Sequence, residues 1–254
     1  MIIFERQKSY IMVAQNDHAK VSKEIALNCK DDYFFSSNRM KEVLLAIEEH
    51  DRGWIDPDAA PIWNDKTEKP YSFIDYPTDL KISFYKKGLD EVEEMSKYAG
   101  LLCSLHYSSF IQDADESVVE EFWEEEKQRQ NRLSDELGII ETEEMKETMM
   151  YHLDLLKFSD FISLYICLHE PGDNNNKHSF FQNGFPQLFL FATDKPIVAH
   201  WESKETVALS FSPLKSETEV ELPYKEVMKD QIENDGILQA YKDTPISIRK
   251  ILFK

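Results

Sequence analysis

With 254 residues, 42% of them apolar and 12% aromatic, the chain has enough material for a packed core. A net charge of −19 sets it against nucleic-acid phosphates and anionic lipid, which argues against a broad electrostatic footprint on DNA, RNA or a membrane. Cys29, Cys103 and Cys167 are odd in number and lack C-x-x-C spacing; they argue against a disulfide framework or a thiolate zinc ribbon and fit a reducing cytoplasm.

The first fifteen residues carry Glu5, Arg6 and Lys8 and have no long apolar stretch, so they do not read as a signal peptide. No uninterrupted apolar run reaches the roughly 18 residues of a spanning helix. Residues 2–4 and 10–14 are β-prone and predict an N-terminal hairpin, after which Asn16 and Asp17 can cap a helix over 18–27. A second helix is expected over 38–51, where Met40, Val43, Leu44 and Ile47 form a buried stripe that His50 continues. Gly53 is placed to end it in a left-handed conformation. Residues 54–77 hold four prolines among Trp54, Trp63, Tyr71, Phe73 and Tyr76, which predicts a loop ordered by aromatic packing and able to cover a cleft.

A helix over 89–110 carries His106 between apolar neighbours. The strongly acidic segment 112–150 interleaves Val118, Val119, Phe122 and Trp123, as in solvent-facing helices with a narrow buried side. Helix is expected again over 143–169, nearly all apolar around Asp160. Beyond Pro171 the texture changes to short strands at 187–192, 197–201, 206–211 and 220–222, then a helix over 224–242 and a β-like tail over 246–253. The expected architecture is a single domain, mainly α, with a helical core over 15–170. A small antiparallel β accessory layer joins the N-terminal hairpin to the C-terminal third: a β-rich portion over 180–223, and the last helix and tail over 224–254.

The residues that can carry chemistry are His18, the His50-Asp51 pair, His106 and Asp160, all on expected helices. Imidazole nitrogen and carboxylate oxygen suit divalent ions, here Mn, Mg, Fe, Ni or Zn. A buried carboxylate at Asp160 costs several kcal/mol without compensation and demands a metal, an arginine or protonation. His152, His169, His178 and His200 have no partners at ligand spacing. Ser104 and Cys103 lack a nucleophile elbow, and no phosphate-binding glycine loop is present.

A first His, a later His-Asp doublet ending a helix and a distant Asp in an apolar helix resemble the HD superfamily of metal-dependent phosphohydrolases. Residues 50–54 (His-Asp-Arg-Gly-Trp), 100–106 and 160–165 look, more narrowly, like an uncharacterised bacterial family of domains of unknown function. The wider resemblance implies an HD-domain-like helical core with His18, His50, Asp51 and Asp160 as metal ligands. It also implies hydrolysis of a small phosphorylated or nucleotide-like molecule, with His106 as a further ligand or proton donor. Arg52 is a candidate phosphate-binding and catalytic residue, or else a surface charge, and Trp54 a candidate wall of the substrate pocket, or else a core residue. The alternatives are an iron-dependent oxygenase on the same scaffold and a non-catalytic metal-containing binding or regulatory module.

Overall fold

A computed structural model describes residues 1–30, 37–109, 117–139, 142–185 and 195–254. Helices account for 55% of these residues, beside a six-stranded, curled mixed sheet. The expectation of a mainly α chain with a small antiparallel β layer is therefore corrected. The β part is a main structural layer, and its size was hidden because the strands that form it lie at opposite ends of the chain.

The N-terminal hairpin consists of β1 (Ile2–Glu5) and β2 (Ser9–Val13), paired from Ile2 opposite Val13 to Glu5 opposite Tyr10. It joins β5 (Ala199–Trp201), β6 (Thr206–Leu209), β7 (Thr218–Met228) and β8 (Ser247–Phe253) in the order β1-β2-β7-β8-β6-β5. Among the described residues only the β6–β8 pairing is parallel. The eleven-residue β7 holds the sheet together, pairing through 218–224 with β8 and through 225–228 with β2. Its Thr218, Val220 and Leu222 point inward while Glu219 and Glu221 point out towards Lys250.

This strand replaces the first part of the helix expected over 224–242. Pro223 reads as a strand breaker, yet it sits opposite Ile248, next to the point where β7 changes partners and a missing backbone N–H is tolerated. The remainder forms two short helices, α8 (Lys229–Asp235) and α9 (Ile237–Asp243), separated at Gly236, whose φ of 78° no interior helical residue adopts. The strand expected over 187–192 lies outside the described residues.

On the other side of the sheet are α1 (Gln15–Leu27), α2 (Met40–Glu49), α4 (Thr78–Met95), α5 (Lys97–Ser108), α6 (Ser117–Glu136) and α7 (Glu143–Cys167). Helix α1 is the pivot of this layer, packing against α2, α7 and β7. The helix expected over 89–110 is two helices. Ser96 is extended, and its hydroxyl accepts the Ala99 N–H at 3.2 Å, capping α5 as a new start. All five residues of β2 are buried because the hairpin is covered twice: Ile11 and Val13 face the main core, while Tyr10 and Met12 meet Ile232, Ile237 and Ala240 of α8 and α9.

Within the acidic segment, α6 buries Val119, Phe122 and Leu133, and Arg129 ties Glu126 of the same helix to Asp90 and Glu93 of α4. Part of the charge run is thus an internal clamp. Residues 54–77 are also more regular than expected, with a short α3 (Ile55–Ala59) and a two-residue ladder of β3 (Trp63–Asn64) and β4 (Lys69–Pro70).

Gly53 does not adopt a left-handed conformation. It lies in a 3-10 turn over Arg52–Trp54, where an added Cβ would fall 2.2 Å from the Phe84 carbonyl oxygen. A Cβ on Gly88 of α4 would in turn fall 2.5 Å from the Gly53 nitrogen. The two glycines let this turn press directly on α4, which fixes the end of α2 and the residues it carries.

Candidate metal centre

Four helices deliver the five side chains to one place. His18 sits in the first turns of α1, His50 and Asp51 follow the last turn of α2, His106 is near the end of α5, and Asp160 is in the middle of α7. All are buried, and Asp160 is 6% exposed. His18 Nε2 lies 3.1 Å from Asp51 Oδ2 and 3.3 Å from Asp160 Oδ1, and His50 Nε2 lies 3.3 Å from His18 Nε2. The same His50 nitrogen is 3.5 Å from Asp51 Oδ2 and 3.6 Å from Asp160 Oδ1, while His106 Nε2 is 3.4 Å from Asp160 Oδ2. Two donor triads result, His18-His50-Asp51 and His50-His106-Asp160. In each, the donor atoms lie within 4.8 Å of one another.

The outer faces of two rings show which way their lone pairs point. His50 Nδ1 is 2.8 Å from the Ile47 carbonyl oxygen, which can only accept. The proton therefore sits on Nδ1, and in the neutral ring Nε2 turns a lone pair inward. His18 Nδ1 meets the Ser163 hydroxyl, which lies 3.2 Å from the Asp160 carbonyl oxygen and 2.9 Å from Ser22 Oγ. With the hydroxyl donating to that carbonyl, it accepts from Nδ1 and leaves His18 Nε2 facing the cluster. Asp51 Oδ1 accepts from the Tyr107 hydroxyl at 3.1 Å, which leaves Oδ2 for the centre. Such an outward anchor and inward donor is the arrangement that a divalent ion requires, so the residues fit a metal.

The electrostatics agree. Burial opposes charge on His50, but Asp51 and Asp160 outweigh it and raise its pKa to about 9. Burial likewise works against ionising the carboxylates. His50 and His18 nevertheless hold Asp51 below the ordinary range, and His106 and His50 do the same for Asp160. His106 is pushed down by burial, against the pull of Asp160. Among the described residues the ion-pair partners of Asp160 are these imidazoles, with no arginine in contact. Two ionised carboxylates thus face histidines, and a proton on His50 takes the place of a cation.

The cluster forms the floor of a cavity of about 270 Å³. Trp54, Phe73, Phe161 and Phe180 contribute aromatic walls, and Lys81 of α4 brings a positive charge to them. Trp54 is fully buried and packs edge-on against Tyr76, Phe84 and Tyr85, so it serves both core and pocket. Arg52 is not brought to the cavity. Its guanidinium points to Glu49 at 3.0 Å and Glu91 at 2.5 Å, the surface-charge alternative rather than a phosphate ligand.

The remaining histidines stand apart. His152 pairs with the Tyr98 hydroxyl at 2.7 Å, His169 bonds to backbone groups of Tyr165 and His178, and His200 is exposed in β5. Burial raises the Cys103 thiol well above its ordinary value, which removes the thiolate that covalent catalysis needs. Sequence reasoning missed Ser163, Tyr107 and Gln15. The signal for Ser163 was available: it lies three positions after Asp160 on the same expected helix, and so on its face, whereas Gln15 lies before the helix expected over 18–27.

The family model for "Protein of unknown function (DUF3891)" matches residues 1–229. The chain belongs to this family. No curated protein and no solved structure matches the chain. The DUF3891 match spans the hairpin, β5 to β7 and all four helices that hold the cluster, and stops before β8.

Ser163 supplies a direct check on the centre. Replacing it with alanine removes the acceptor that orients His18 and is expected to weaken metal binding by about 10- to 100-fold with little change of fold, as outer-shell substitutions do. Competition against a chelating dye measures it, and an unchanged affinity would exclude His18 Nε2 as a ligand.

Proposed function

We propose that this DUF3891 protein is a metal-dependent phosphohydrolase acting on a small phosphorylated molecule. The observation that carries the reading is the convergence of His18, His50, Asp51, His106 and Asp160 on the floor of a cavity, with the His50 ring anchored so that its free nitrogen points inward. The order of these residues resembles the HD superfamily and supports the same reading. A divalent ion held there would lower the pKa of a bound water and polarise a phosphoryl oxygen.

The chain's own residues do the rest. Lys81 stands among the residues that line the cavity, in a molecule whose net charge is −19. Tyr107 and Ser163 hold Asp51 and His18 in place, so that the donors need no reorganisation. His106 was open to two roles, ligand or proton donor. A ligating Nε2 cannot also carry the proton, and its place in the second triad beside Asp160 favours the ligand role. No described helix is long and apolar enough to cross a membrane. Three unpaired, buried cysteines support a reducing compartment such as the cytoplasm.

The test is metal analysis of the purified protein, with a phosphatase and nucleotidase screen in Mn²⁺, Mg²⁺, Ni²⁺ or Fe²⁺. Bound metal and phosphate release are expected. Iron with an optical signature and no phosphate release would replace the reading with an oxygenase, and metal without turnover would replace it with a binding module.

A further inference from the structure

Two of the side chains that line the cavity are apolar and exposed at its mouth: Ile74 is 48% exposed and Phe180 40%. Burial in the core does not account for them. Ile74 is held by its own turn, where its N–H donates to Ser72 Oγ at 3.2 Å and Asp75 Oδ1 accepts the Ser72 N–H at 2.8 Å. The preceding Phe73 is tied to the hairpin, its N–H donating to the Met1 carbonyl at 2.9 Å. Phe180 lies in a 3-10 turn over Ser179–Phe181 and meets the Phe161 ring edge-on, with the centroids 6.4 Å apart.

Between this mouth and the polar floor the apolar lining continues, on the elements that deliver the metal donors. Phe161 and Leu164 follow Asp160 on α7, Leu164 one turn on and so on the same face, and Trp54 follows His50 in the turn after α2. Polar groups for the rest of a ligand are few among the described residues. The Tyr107 hydroxyl donates to Asp51, Lys81 has a partner of its own within the protein, and the Gln15 carbonyl oxygen is sealed from solvent. Tyr85 is buried, with its ring 4.2 Å from that of Tyr107. A hydroxyl set against such walls without a partner weakens binding by roughly 5- to 150-fold. A volume of about 270 Å³ lies just below the usual range of small-molecule sites, roughly 300–1,000 Å³, and selects for a compact group.

We infer that the substrate is a phosphate monoester of a compact apolar group, aryl or alkyl, rather than of a sugar or nucleoside. The inference rests on the phosphohydrolase reading of the same site. The donor cluster takes the phosphoryl group, and the apolar group lies against Phe73, Phe161 and Leu164 and covers Ile74 and Phe180, withdrawing their surface from water.

The experiment measures, by calorimetry on the Mn²⁺-loaded protein, the binding of methyl-, ethyl-, propyl- and butylphosphonate and of 3-hydroxypropylphosphonate, which matches the butyl probe in heavy atoms. Affinity is expected to rise about fourfold per methylene, roughly 60-fold from the methyl to the butyl probe, and to fall at least about tenfold when the terminal methyl becomes a hydroxyl. Phenyl- against cyclohexylphosphonate then separates an aryl from an alkyl substrate. In Ile74→Ser and Phe180→Ser the ratio of butyl to methyl affinity is expected to drop severalfold, with the ligand-free melting temperature unchanged because both side chains are exposed. A flat series in wild type, or a hydroxyl probe that equals the butyl one, overturns the inference and leaves the phosphohydrolase reading standing. A butyl-to-methyl ratio that both variants keep also overturns it. Failure of wild type to bind any phosphonate overturns both.

Discussion

Raising the pH from about 6.5 towards 9 is expected to destabilise the metal-free protein and to stabilise the metal-loaded one. His50 has a pKa of about 9 in the fold against an ordinary 6.5, because Asp51 and Asp160 favour its charged form. The stability gained from that proton is complete below 6.5 and is lost as the pH rises through 9. The difference between the two values corresponds to on the order of 3 kcal/mol. Asp51 and Asp160 run in the opposite sense: both are held below the ordinary 3.8, so their contribution is present above that value and disappears only in acid. His106, His169 and His178 have pKa values lowered from 6.5, so their change is largely complete before this window opens.

A divalent ion reverses the alkaline trend. It must displace the proton from His50 Nε2, so proton competition weakens binding at pH 6.5 and fades towards 9. Stabilisation by the ion grows with its affinity, and the melting temperature should rise over the range in which the metal-free form declines. Thermal melts in chelator and in excess Mn²⁺, taken at intervals across the window, measure both slopes. Parallel curves would mean that the ion does not meet His50.

Much of the site was legible in the sequence, and less of the fold. His50 could be placed because it continues the Val43 and Ile47 stripe, and Asp160 because a carboxylate in an apolar helix needs compensation. Both signals are local and follow from helical period and burial. The sheet depends on pairings between residues 9–13 and 218–228, more than two hundred positions apart, for which local alternation gives no partner. Pro223 and the following Lys225 and Glu226 also gave β7 the look of a strand ending and a helix beginning. Arg52 shows another limit. A forked donor beside a His-Asp pair suits phosphate, but the sequence does not reveal that Glu49 and Glu91 already occupy the fork. Gln15 escaped attention because the helix was expected to begin at residue 18, whereas α1 begins at Gln15 and brings it onto the face of His18.

Replacing Asp160 with asparagine is expected to cost more than about 100-fold in metal affinity, beyond the loss typical of an outer-shell contact, and phosphate release should fall with it. Asparagine preserves the volume of the side chain and its place in α7, so loss of packing is not the cause. What changes is charge: Oδ1 lies 3.3 Å from His18 Nε2 and Oδ2 lies 3.4 Å from His106 Nε2, and the substitution turns one of these positions into an amide donor facing an imidazole. The rival account, a structural ion pair between Asp160 and protonated histidines, predicts a different pattern. Breaking a buried pair by removing one partner costs about 3–5 kcal/mol, so the variant would melt early yet keep its metal and its turnover. Measuring melting temperature, metal content and phosphate release on the same preparation separates the two. Under the metal reading, excess ion raises the melting temperature of wild type strongly and that of Asp160→Asn little, because the variant has lost the carboxylate that serves the His50-His106 triad. Equal protection of both by the ion would move the centre away from Asp160 and leave only His18, His50 and Asp51 to hold it.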